Sequence, residues 1–175
     1  MPPDERDEMK LSKLERLMLS NQIKILEKLY PEEASSYAEK RKAIEYGFAL
    51  HFPWLMDHIY DEMTVEECKE VLDILEMFSA IKRSYDNLKD KKGVKENRVR
   101  FAGFDGNSEG AQMVYTRYFI VDLDRYVELR YDSDYPDFNS HCPSLDMYRN
   151  MMAVWKDCKD KIRLSKKEII RILEA

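Results

Sequence analysis

The chain has 175 residues, a formal net charge of −5, 44% hydrophobic and 36% charged side chains, and only five Gly and six Pro. That length buries a core without disulfide or metal staples, and low Gly and Pro with abundant Leu, Met, Glu and Lys favours helices. The acid excess excludes a surface given over to phosphate contacts, and no apolar run approaches the roughly 20 residues of a membrane span.

The first residues, "MPPDERDEMK", are acidic and carry no apolar stretch. They are read as no secretory signal: residues 1–9 are expected to form a disordered extension and residues 10–175 one helical domain. The three cysteines, Cys68, Cys142 and Cys158, are an odd set without CxxC spacing, which fits free thiols in a reducing cytoplasm.

Three capping boxes punctuate the chain: Ser12 with Glu15, Thr64 with Glu67, and Ser165 with Glu168. Each hydroxyl is placed to accept from the third helical amide while the Glu reaches back to the cap amide. The first helix is expected from about Lys13 to Tyr30. Leu11, Leu14, Met18, Ile25 and Leu29 form its apolar face, with Lys13, Arg16, Ser20, Lys24 and Glu27 opposite. Gln22 falls near the centre of the apolar face and Asn21 on its margin. Two readings are open for this polar cluster: a buried amide bonded to a neighbouring helix, or the lining of a polar pocket.

Pro31 suits the first turn of a second helix ending near Tyr46, with Gly47 as a left-handed cap, and Pro53 breaks "HFPWLMDHIYDEM". The helix opened by Thr64 is expected to run to about Lys91, with Lys89, Lys91 and Lys92 in its last turn and Gly93 as its stop. Ile74 and Met77 lie off its stripes, so it is expected to touch partners on more than one side. "MVYTRYFIVDLDRYVELRY" is ambiguous between helix and hairpin. The reading adopted is helix to about Val121 and then a short extended piece. Ser144 is expected to cap a helix burying Leu145, Tyr148, Met151, Met152, Trp155 and Cys158, and a final helix spans Lys166 to Leu173. The fold class is all-α, a single-domain multi-helix bundle of six to eight helices, with a minor extended segment possible within 113–131.

"RLMLSNQ" at 16–22, "LDILEMFSAI" at 72–81, "FAGFDGNSE" at 101–109 and "LSKKEIIRIL" at 164–173, with Phe138–Asn139 and Trp155, resemble the YfbU family of bacterial proteins. The similarity runs in order from about Met9 to the end. It implies a small, mainly helical, cytoplasmic bacterial protein and brings no reaction, cofactor or catalytic residue with it.

The glycine-dense stretch "FAGFDGNSEGAQ", 101–112, raises the question of a phosphate cradle. It lacks the Lys–Ser or Lys–Thr of a Walker loop and the GxGxxG of a dinucleotide fold. Asp105 or Asn107 reads instead as an N-cap and Glu109 as a first-turn acid, and such carboxylates would repel a phosphate. His51, His58 and His141 are scattered, and the acids from Asp122 to Asp137 lack EF-hand order, so no metal and no cofactor are expected. His141 beside Cys142 is poor nucleophile geometry, and Asp73 and Glu76 read as solvated or ion-paired.

Two classes of function remain. The first is a non-catalytic, homo-oligomeric interaction or regulatory module that uses the two-sided long helix. The alternative is a nucleic-acid-acting enzyme or ligand binder using the basic strip 82–100, chiefly Lys89, Lys91, Lys92, Lys95, Arg98 and Arg100. The want of a recognisable nucleophile, base or metal set favours the first.

Overall fold

The structure, a computed structural model, describes residues 10–56, 59–130 and 137–175. The expected extension at 1–9, His58, and the acids Asp132 and Asp134 lie outside the described residues. The described chain is all-α, as expected, and its residues divide into two compact units between Glu62 and Met63.

In the first unit, helix α1 spans Lys13–Leu29 and helix α2 spans Ala34–Tyr46, joined through a 3-10 turn at Pro31–Glu33. The Ser12 capping box opens α1: the Glu15 amide donates to Ser12 Oγ, and the Ser12 amide donates to the Glu15 carboxylate at 2.7 Å. Gly47, at φ +75°, closes α2 where a side chain would be strained, and a Cβ there would lie 2.5 Å from Arg16 Nη1. A 3-10 run at Ala49–Leu55 follows, with Pro53 inside it.

The α1–α2 pairing inverts the expected helical wheel. The face towards α2 is the one read as solvent-facing: Ser20 Oγ donates to Glu45 at 2.7 Å, Arg41 Nε to Glu27 at 2.6 Å, and Arg16 Nη1 to the Ile44 carbonyl. Ile23, Ala43, Ile44 and Phe52 are the buried apolar residues of this unit among those described. Leu14, Met18, Ile25 and Leu29 are exposed. Charged partners satisfied one face of α1, so the apolar face was left outward.

In the second unit, helix α3, Val65–Asp86, opens on the Thr64–Glu67 box and is buried nearly all round. Val71, Ile74, Leu75, Met77 and Ile81 have no accessible surface. The short helix α4 (Glu96–Val99), α5 (Gly110–Arg117), a 3-10 turn at Val127–Leu129, α6 (Leu145–Lys156) and α7 (Lys166–Leu173) all contact it. Ile74 and Met77 do mark a helix contacted on several sides, and those sides are filled within the unit. The two-sided helix therefore offers no free apolar face, contrary to its expected use in self-association.

Two boundaries differ from expectation. Helix α3 ends at Asp86, not near Lys91, because the Asn87 side chain turns back to the Arg83 carbonyl and the chain departs into a turn. Lys89, Lys91 and Lys92 thus stand on a loop, and Arg83 is the cation of the last turn. The expected extended piece after Val121 is likewise not formed. Helix α5 widens into a π turn at Tyr118–Asp122, and Asp124 and Tyr126 then take positive φ. Arg130 Nη2 gathers the Ile120 carbonyl, the Val121 carbonyl and the Asp124 carboxylate, so a side chain occupies acceptors that a strand partner would need.

Candidate functional site

The loop at 101–109 is a junction built from buried polar groups. Gly103, at φ +92°, brings its backbone against Phe138, where a Cβ would sit 1.9 Å from the Phe138 carbonyl oxygen. That approach permits the isolated bridge in which the Phe104 amide donates to the Phe138 carbonyl and the Ser140 amide to the Phe104 carbonyl. Phe78, Phe101, Phe104 and Tyr148 cluster beneath it, and the Tyr148 hydroxyl donates to the Gly103 carbonyl at 2.9 Å. Burial pushes the Tyr148 phenol well above its ordinary pKa, so it stays a neutral donor.

Of the cap residues, Asp105 accepts from the Ser108 hydroxyl and amide. The Ser108 hydroxyl bond is the main cause holding its pKa below the ordinary value, against the opposing effect of burial. Asp105 thus closes the turn before α5. Asn107 is exposed, and Glu109 is itself the residue before the helix, not a first-turn acid. The Glu109 carboxylate is buried and turned elsewhere. It accepts from the Asp105 amide at 2.9 Å, the Ser144 amide at 2.9 Å and the Leu145 amide at 2.7 Å.

Glu109 therefore caps α6, from 35 residues away, and takes the role expected of Ser144. Ser144 occupies the cap position, but its hydroxyl donates to Cys142 O and Ser140 Oγ instead. A carboxylate holding two amides at a helix start is favoured by the dipole, and the Asp105 amide is its third backbone donor. The loop starts helices. Its two carboxylates accept from backbone amides and the Ser108 hydroxyl of the protein itself.

The basic strip is dispersed. Lys89, Lys92 and Lys95 are exposed, Lys91 lies over the Tyr85 ring, and Arg98 donates to the Leu173 carbonyl, capping the end of α7. Arg100 is exposed and partnered. The shallow cavity beside it, about 440 Å³, is lined by both signs of charge, among them Lys82, Asp86, Glu96 and Glu128. A backbone-tracking groove would be of one sign. Asp73, read as solvated or ion-paired, pairs with Lys156 at 3.0 Å. His141 and Cys142 are exposed, and the thiol turns to the Ser140 carbonyl rather than to the imidazole. Among the described residues no cluster of three or more His, Cys, Asp or Glu is placed to hold a metal ion. No described helix is long and apolar enough to cross a membrane.

The first unit exposes large apolar side chains in two places, the end of α2 with the segment after it (Tyr46, Phe48, Leu50, Ile59 and Tyr60 among them) and one face of α1. Leu14, Leu17, Met18, Ile25 and Leu29 are between 55% and 67% exposed, with Asn21 and Gln22 exposed among them. The expectation that Gln22 is buried is corrected: it sits on the apolar stripe, but the whole stripe faces outward. The stripe lies about half a turn round the helix from the residues that meet α2. Singly exposed apolar side chains are ordinary, whereas here five share one face of a single helix, interrupted at its centre by Asn21 and Gln22. The sequence carried the periodicity of this face but no signal of which face α2 would take.

A family model for the YfbU domain matches residues 9–175.

Proposed function

The chain belongs to the YfbU family, and from that premise we propose that it is a cytoplasmic, non-catalytic interaction module that works as a homo-oligomer through the outward face of α1. The observation that carries this reading is the exposed stripe Leu14, Leu17, Met18, Ile25 and Leu29 on a unit with only four buried apolar residues among those described. A partner covering the exposed part of each side chain, somewhat over half of it, would gain roughly 1–2 kcal/mol apiece. The two carboxylates at 105–109 are engaged in a turn with Ser108 and in the start of α6, which supports a role without catalysis.

Light scattering on the full chain at micromolar concentration is expected to give a dimer or larger. Met18→Glu with Ile25→Glu, placing two charges in the stripe, is expected to give a monomer with an unchanged helical circular dichroism spectrum. A clean monomer for the unaltered chain sinks the proposal. The nucleic-acid reading keeps only the loop lysines in its support, and salt-sensitive RNA or DNA binding abolished by Lys91→Glu with Lys92→Glu would put it first.

A further inference from the structure

The stripe on α1 is self-complementary when one copy is laid antiparallel on another. Counting outward from the point between residues 21 and 22, Asn21 and Gln22 stand at equal distance, then Met18 and Ile25, then Leu14 and Leu29. The same point is the middle of the helix, Lys13–Leu29, to within half a residue. We propose that α1 pairs with α1 of a second copy about a two-fold axis passing between Asn21 and Gln22.

In this register Leu14 meets Leu29 of the other copy, Met18 meets Ile25, and Asn21 meets Gln22. Apolar side chains lie on apolar ones, and each amide has an amide to donate to and accept from. The pair repeats on both sides of the axis, as an isologous interface requires. Sliding the helices by one turn sets Met18 against Asn21 in one direction and Ile25 against Gln22 in the other. Either slip buries amides against hydrocarbon and shortens the overlap. A central polar pair fixing register and orientation in an apolar helical seam is a known device. That is the work the proposal gives to Asn21 and Gln22.

The α2 contacts of α1 are untouched, since Ser20, Glu27 and Arg16 lie on the opposite side of the helix. The four apolar side chains and two amides that pair from each copy, at roughly 100 Å² apiece, bring the pair near the about 1,200 Å² at which stable interfaces begin.

The proposal rests on the homo-oligomeric reading, and cysteine pairing separates the two. In the full chain with Cys68→Ser and Cys142→Ser, Leu14→Cys and Leu29→Cys are prepared as separately tagged single variants. Both positions are exposed, so neither change disturbs the fold of the free chain, which circular dichroism verifies. Under mild oxidation the mixture is expected to give a disulfide between the two tags, and each variant alone none. In the antiparallel pair, two copies of residue 14 are roughly 22 Å apart along the axis. Homotypic disulfides would show a parallel pair and overturn the proposal. A dimer by light scattering with no disulfide in the mixture would overturn it while leaving the homo-oligomer standing. A monomer by light scattering would overturn both.

Discussion

Glu109 shows how a single side chain is misjudged when only its neighbours in sequence are considered. Next to Gly110 it reads as an acid favouring the start of α5, yet its carboxylate serves the Ser144 and Leu145 amides at the start of α6. Both uses obey the same preference for negative charge at a helix N-terminus, so the residue type was legible and the partner was not. Removing the carboxylate strands three buried or half-buried N–H groups at once. Glu109→Ala is expected to lower stability by about 3 kcal/mol or more in urea titration, with Glu109→Gln losing less because one amide oxygen still accepts. Faster hydrogen exchange at the Ser144 and Leu145 amides, ahead of any change in α3, is the accompanying sign. Gln22 teaches the complementary lesson. Its place on the stripe was correct, but with the stripe outward, Gln22→Ala strands nothing in the free chain.

Among the elements, those opened by local signals were legible and those closed by distant ones were not. All three capping boxes form as written, because their donors and acceptors lie within one turn. The end of α3 and the π turn after α5 depend on Asn87 and Arg130 finding particular carbonyls, which no periodicity encodes. The boxes also set a pH dependence. Hydrogen bonds from the Ser12 and Thr64 hydroxyls and amides, and from those of Ser165, hold Glu15, Glu67 and Glu168 below the ordinary glutamate pKa. A carboxylate depressed in the folded state contributes stability that is complete above its unfolded value and lost as pH falls through the folded one. Thermal stability is therefore expected to drop as pH is lowered through the ordinary glutamate range and below. Thr64→Ala, costing about 1 kcal/mol near neutrality, should show a shallower drop because Glu67 loses the hydroxyl bond and keeps only the backbone amide of residue 64. An identical slope for the variant and the parent chain would reject this account.

For the whole molecule, the contrast between the two units decides what association should do. The second unit has a continuous core from Val71 to Leu173 around α3. The first has Ile23, Ala43, Ile44 and Phe52 and a set of ion pairs, such as Arg41 with Glu27 and Glu45, that are worth little each at a surface. A partner that binds only the folded form adds stability that rises with its concentration, and in the proposed homo-oligomer that partner is a second copy of the chain. The amides of α1 and α2 are therefore expected to exchange more slowly as protein concentration is raised from nanomolar to tens of micromolar, while those of α3 and α6 keep their rates. Charges at Met18 and Ile25 should abolish the concentration dependence without changing α3. Equal protection of α1 at both concentrations would mean that the first unit is held by its own chain, and the outward stripe would lose its role as an interface between copies.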